Sequence, residues 1–286
     1  MNKSFFFSAV LSAIILISCG GKTNTGSGET ADFVLNLEKG QQFQTEMTVK
    51  QQIETSMMGQ TMSIDQTFLT AFQMDVEDIN TSGNYIIRTT YKRIRLEQSM
   101  GGMGGLGNTL IDTEKPEENK GMAAAMTAPA LQQMIGKSFT SEMDKKGHTL
   151  STDMSALTEG SEGQVAQQDN SLSNYSIGFP EKPVKVGDSW EEEKELKTQN
   201  AVMKIKTKHT LKSIANDVAE IESTGTIEPV NTGEKIKGTQ TGTTKVNLKN
   251  GWSSESKITQ ELEMEVAQMG QSIPMKIKSE VTMTSK

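Results

Sequence analysis

The chain has one cysteine, two histidines, six prolines and only 5% aromatic residues among 286. A lone cysteine excludes an internal disulfide and any zinc site built on paired cysteines. The two histidines, His148 and His209, fall in a turn and on an apolar strand face, a placement that suits structural roles and does not make a metal-ligand pair. Basic residues are also in deficit: 29 Lys and Arg against 36 Asp and Glu leave a formal charge of −7, which argues against nucleic acid as a partner. No apolar run reaches the roughly 20 residues needed to span a bilayer. The N-terminal one, Phe5 to Ile17, stops at 13 residues and is broken by Ser8 and Ser12. With so few rings, 18 methionines supply flexible apolar filler.

Cys19 follows that run in the order Leu16-Ile17-Ser18-Cys19 and precedes Gly20. This is a lipobox, in which small or apolar residues precede a cysteine whose sulfur takes a diacylglycerol. Residues 1–18, with Lys3 as their cation, read as a cleaved lipoprotein signal. An N-terminus with two or three acyl chains anchors stably where one chain would not. Residues 19–32 are small and polar without periodicity, the pattern of a flexible tether.

Beyond the tether the chain alternates with period two. Phe43, Thr45, Met47, Val49 and Ile53 share one face, and after a turn at Met58-Gly59-Gln60 the inward row resumes as Met62, Ile64, Phe68, Phe72, Met74 and Val76. A third strand carries Tyr85, Ile87, Thr89 and Tyr91 in one phase, then Ile94 and Leu96 in the other, which predicts a β-bulge near Lys92. Residues 99–121, glycine-rich then charged, read as a mobile insertion. Met122 to Ile135 is rich in helix formers and ends at Gly136, with Pro129 predicting a break or a late start. A hairpin turning at Lys146-Gly147 and a polar linker, 159–179, follow.

The second half repeats the first in outline. Val186-Gly187-Asp188-Ser189-Trp190 matches Lys39-Gly40-Gln41-Gln42-Phe43, and Asn250-Gly251-Trp252 matches Lys146-Gly147-His148. Its inward rows are Met203, Ile205, His209 and Leu211, then Ala219, Ile221 and Ile227, then Ile258, Leu262, Met264 and Val266, and finally Ile273, Met275, Ile277, Val281 and Met283. The pattern predicts a mainly β, antiparallel protein of two related meander units, 33–158 and 180–286. Their strands are long enough to curve into a half-barrel or open barrel, with one short helix near 122–135.

The segments MMGQTMSIDQT, NYIIRTTYKRIRLEQSM, IGKSFTSEMDKKGH, FPEKPVKVGDSWEEE and GQSIPMKIKSEVT resemble an uncharacterised family of lipoproteins common in Bacteroidetes, catalogued as a domain of unknown function. The resemblance spans about residues 33–286. It implies an exported, lipid-anchored, mostly β protein and brings no established activity. Because no acidic cluster of the kind associated with surface export in such lipoproteins follows Cys19, the expected location is the outer membrane, facing the periplasm.

Patterns that imitate chemistry are weak. Gly102, Gly104 and Gly107 satisfy G-x-G-x-x-G, but no helix follows at once and no acidic residue stands at the spacing a dinucleotide site requires. No G-x-S-x-G elbow is present. Glu191-Glu192-Glu193 alternates faces and reads as a solvated edge. Met58/Met62, Met100/Met103 and Met122/Met126 have spacings open to Cu(I), though core filler explains them better. The reading is therefore non-catalytic, with no metal and no cofactor: a binding or carrier module whose inward Met47, Met74, Met203 and Met264 line a concavity for an apolar ligand. The competing reading is an accessory subunit that docks another envelope protein.

Overall fold

A computed structural model of the chain describes residues 28–57, 60–101, 108–158, 176–197, 202–230, 235–268 and 271–286. Residues 1–27, with the expected signal and Cys19, residues 102–107, with Gly102, Gly104 and Gly107, and residues 159–175 lie outside the described residues. The first half forms β1 (Thr30–Ala31), β2 (Gln42–Met57), β3 (Gln60–Ile79), β4 (Tyr85–Gly101), β5 (Thr109–Asp112), α1 (Met122–Met134), β6 (Ser138–Met143), β7 (Thr149–Asp153) and α2 (Ser155–Thr158). The second forms β8 (Val184–Lys185), β9 (Ser189–Lys197), β10 (Val202–Ala215), β11 (Val218–Pro229), β12 (Ile236–Asn247), β13 (Ser253–Gln268) and β14 (Gln271–Ser285). β1 and β8 pair as a small ribbon, so order begins before Phe33.

Twelve strands build one antiparallel sheet in the order β7-β6-β4-β3-β2-β14-β13-β12-β11-β10-β9, with β5 added beside β4. The halves are fused through β2 and β14, which pair from Thr45↔Ser285 to Thr55↔Met275. β7 and β9 are not paired with each other, so the sheet is open. The strand ends at Met57, Gln60, Lys197, Val202, Pro229, Ile236, Gln268 and Gln271 lie at one end, called distal; those at Gln42, Ile79, Tyr85 and Ser285 lie at the other, called proximal. The register of β3 on β4 passes from Phe72↔Tyr91 to Ala71↔Arg93, which leaves Lys92 as the bulge that the change of phase predicted.

Inward rows make the core and outward rows meet water. Phe43, Met47, Ile205, Leu211, Ile221 and Val281 are buried, while the convex face carries cross-strand ion pairs such as Glu263 with Lys237 and Lys276. The proximal concavity is filled by two irregular segments. Phe33, Leu35 and Leu37 come from one and Ile177 and Phe179 from the other, packed against inward residues of both halves. The presumed polar linker 159–179 therefore ends in core residues, because a curled sheet needs apolar side chains to fill its interior.

The two plugs are held alike. Leu35 N donates to Lys145 O and Phe179 N to Lys146 O, while Asn36 N donates to Asn250 O. Each plug crosses a turn glycine closely: Gly147, with φ +80, faces Ile177 O, and Gly251, with φ +71, faces Val34 O. Only glycine supplies both the left-handed backbone and the room. The matched turns at Gly40 and Gly187 also make equivalent bonds, Gly40 N→Val76 O with Val76 N→Gln41 O, and Gly187 N→Leu211 O with Leu211 N→Asp188 O.

Two expectations are corrected. Residues 109–112, expected within an insertion unable to bury a face, are a strand: β5 pairs β4 from Arg95↔Asp112 to Gln98↔Thr109, and Ile111 and Asp112 are fully buried. An arginine on the neighbouring strand makes this possible, since Arg93 grips the Asp112 carboxylate with Nε at 3.1 Å and Nη2 at 2.6 Å. The α1 helix also runs through Pro129 unbroken. Its last turn is pinned by Leu131, Met134 and Ile135 against the core, which outweighs the backbone bond that proline forfeits.

Candidate binding surface

Because the strands are long and in register, the concave face is layered. One level across nine strands is polar: Gln98, Gln66, Gln51, Ser279, Gln260, Gln240, Gly225, Thr207 and Glu192 stand side by side from β4 to β9. Gln260 Nε2 donates to Gln240 Oε1 at 3.1 Å, Gln240 Nε2 to Thr207 Oγ1 at 2.6 Å, and Gln51 Nε2 to Ser279 Oγ at 3.3 Å. Two residues distal, the level is apolar again, with Ile64, Ile53, Ile277, Leu262, Ile227 and Ile205 in line. Two further on come Met62, Met275, Met264 and Met203. Over β10 to β12 this apolar face closes on itself, with Met203, Ile205, Ile227 and Ile236 buried. Gly238 permits that curl, since a Cβ there would lie 2.6 Å from Glu261 O. Over β13, β14, β2 and β3 the same rows are only half-buried, which leaves a distal trough floored by the polar belt.

At its β9 end the belt joins a compact network. His209 is 3% exposed; its Nε2 lies 3.2 Å from Glu192 Oε2 and its Nδ1 2.8 Å from Ser223 Oγ. An ionised Glu192 only accepts, so Nε2 donates to it and a neutral ring then accepts the Ser223 hydroxyl at Nδ1. Burial pushes the Glu192 carboxyl up, but the His209 hydrogen bond, the Lys194 charge and the Gly178 N–H together hold it below its ordinary value. Burial lowers the Lys194 ammonium, which also bonds Ser176 O. Trp190 Nε1 donates to Gly178 O at 2.9 Å. Inward side chains of β9 thus tie the second plug to the sheet edge. Glu192 is accordingly not the solvated edge carboxylate expected, because β9 curls inward over the plug and turns that residue onto the interior. The cavity beside Ser223 and His209 measures about 30 Å³, room for a water and not for an acyl substrate.

A second cavity, about 110 Å³, lies between the plugs and the sheet beside Met74, Phe139, Trp252 and Met283. Small-molecule pockets run to about 300–1,000 Å³, so it falls short of a lipid's volume. The four methionines expected to line one concavity are distributed. Met47 is a packed core residue at 2% exposure, Met74 borders the small cavity, and only Met203 and Met264 come together, in the distal apolar cluster. Met122 and Met126 are each 81% exposed on α1. His148 sits in the β6–β7 turn, with Nδ1 3.0 Å from Asp144 Oδ2. The belt glutamines escaped the sequence reading, although Gln51 shares the parity of Val49 and Ile53 and was the available signal. Among the described residues no group of three His, Cys, Asp or Glu side chains could hold a metal ion, and no helix is long and apolar enough to cross a membrane.

An open, curled antiparallel sheet with plugs at one end and an apolar trough at the other defines a β-shell protein. The chain belongs to a family of unknown function (DUF6263), whose model matches it twice in overlapping stretches, residues 82–174 and 161–253. No curated protein matches the chain in sequence. Among solved structures, one of lipovitellin, titled for its lipid–protein interactions, superposes on 88% of this chain with a TM-score of 0.58 at 6% identity. This chain spans 25% of the lipovitellin chain, and at that identity the likeness is one of fold. The translocator domain of the autotransporter NalP from Neisseria meningitidis covers 87% of this chain at a TM-score of 0.32 and 7% identity, with 89% of its own length matched.

Proposed function

We propose that this protein is a non-catalytic binding or carrier module of the cell envelope, held to the outer membrane by lipid on Cys19 and facing the periplasm, that receives an apolar ligand in its distal trough. The observation that carries this reading is the half-buried row Leu262, Ile277, Ile53 and Ile64 on β13, β14, β2 and β3, with Met264, Met275 and Met62 beyond it. Completing the burial of each such side chain is worth about 1 kcal/mol, half the value for a fully exposed one. The shared fold with lipovitellin, whose title concerns lipid, supports the same direction. A second reading, docking to another envelope protein, rests on the open edge of β9.

Paired substitutions test the proposal. Met264→Gln should weaken binding of a fluorescent hydrophobic probe with little loss of stability, because its wall is incompletely packed. Met47→Gln should destabilise by several kcal/mol, about 2–5, and leave the probe affinity of the folded fraction unchanged. Absence of saturable probe binding by the wild-type chain would leave the docking reading.

A further inference from the structure

The polar belt is out of keeping with a trough built only for hydrocarbon. Gln66, Gln51, Ser279, Gln260, Gln240 and Thr207 interrupt the inward apolar rows at one level, and interior amides persist where their hydrogen bonds are met. Some are not met within the protein. Among the described residues the Gln66 side chain has no hydrogen-bond partner, and Gln51 and Gln260 spend their amide N–H on Ser279 and Gln240 with no described donor for their carbonyl oxygens. These groups are half-buried and face the trough. The row is also uncharged from β4 to β10. Its one ionised member, Glu192, is already engaged by His209, Lys194 and Gly178.

An anionic head placed on this belt would lose water and meet amides without a counter-charge, which is costly. A head of hydroxyl, ester or amide groups would exchange water for equivalent partners. From Gln51 to its end at Met57 the β2 backbone runs six residues beside the trough, about 20 Å at about 3.3 Å each, the scale of a single extended acyl chain. Resting on the binding function proposed above, we infer that the ligand is a single-chain lipid with an uncharged polar head, its chain along the isoleucine and methionine rows and its head on the glutamine belt.

The test measures binding of 1-monopalmitoylglycerol, palmitate at pH 8 and hexadecane to the purified full chain, below micellar concentrations, by native mass spectrometry. Monopalmitoylglycerol should bind at least about tenfold more tightly than either competitor, the ratio expected from one or two added hydrogen bonds. Gln66→Leu, which removes a side chain without a described partner and so spares the fold, should narrow that ratio. The double variant Gln240→Leu with Gln260→Leu should abolish it, with thermal melting as the check on folding. Palmitate binding as tightly as monopalmitoylglycerol, hexadecane matching both, or an unchanged ratio in folded Gln66→Leu would overturn the inference while leaving apolar binding intact. Failure of all three lipids to bind a cooperatively melting chain would instead remove the binding function, and this inference with it.

Discussion

Asp112→Asn is the sharpest probe of the β4–β5 junction. The Asp112 side chain is fully buried, and that of Arg93 is 26% exposed. The guanidinium meets both carboxylate oxygens, and Glu114 N donates to Oδ1 at 3.0 Å. Asparagine keeps one acceptor for Glu114 but turns an NH₂ toward a group that only donates. Breaking a buried pair from one side costs about 3–5 kcal/mol. Arg93 retains partial solvation and its contact with Glu114 at 3.0 Å, so about 2–3 kcal/mol is expected. The Arg93 hydrogen bonds hold the Asp112 carboxyl below its ordinary value against the opposing effect of burial. The stabilisation is therefore complete above the unfolded value, about 3.9, and is lost as pH falls through the lower folded value. Urea denaturation at pH 7, 4 and 3 should show the gap between wild type and variant closing toward acid. A gap under about 0.5 kcal/mol at pH 7, or one indifferent to pH, would refute the claim that this carboxylate anchors the segment.

Three other outcomes are expected. Gly251→Ala should lower the melting temperature severely, since its Cβ would sit 2.3 Å from Val34 O at φ +71; a melting curve like that of wild type would show that the first plug does not bear on this turn. Leu262→Ala, on the inward row, should cost about 2 kcal/mol, the low end for a leucine that is half-buried, whereas Glu263→Ala on the convex face should leave the denaturation midpoint nearly unmoved; reversed results would mean a register slip of one residue. Cys19→Ser should abolish acyl labelling and signal removal, and wild-type chain that fractionates with membranes without any acyl label would count against the anchor.

Local pattern carried far in this chain because its strands are long and one-sided. The phase change between Tyr91 and Ile94 located the bulge, and the inward rows of β10 and β11 read directly as burial. Features that depend on distant partners were not legible. Asp112 looks like one more charge in a polar stretch until Arg93, on another strand, is brought beside it. Glu192 sits in a run of three glutamates, and nothing nearby in sequence signals that Gly178, Lys194 and His209 enclose it. Phe33, Leu35 and Leu37 alternate in too short a run, and Ile177 and Phe179 are too few, to announce that these segments fill the concavity of a distant sheet. The belt was hidden for another reason: a glutamine within one strand is unremarkable, and only the register of nine strands makes it a row.

The seam between β2 and β14 has a kinetic consequence. The Thr45 and Ser285 hydroxyls, 2.9 Å apart, are separated by 240 residues in sequence, so β2 finds this neighbour only when nearly everything between has been made and folded. Until then its backbone is a bare edge with an apolar face, the kind of surface that recruits other strands. Closure of so long a loop belongs late on the folding path and makes it slow. The sheet should consequently assemble as two curled wings that meet last at this seam, and a holdase that shields the waiting edge would improve the yield of folded protein more than one acting on any hairpin.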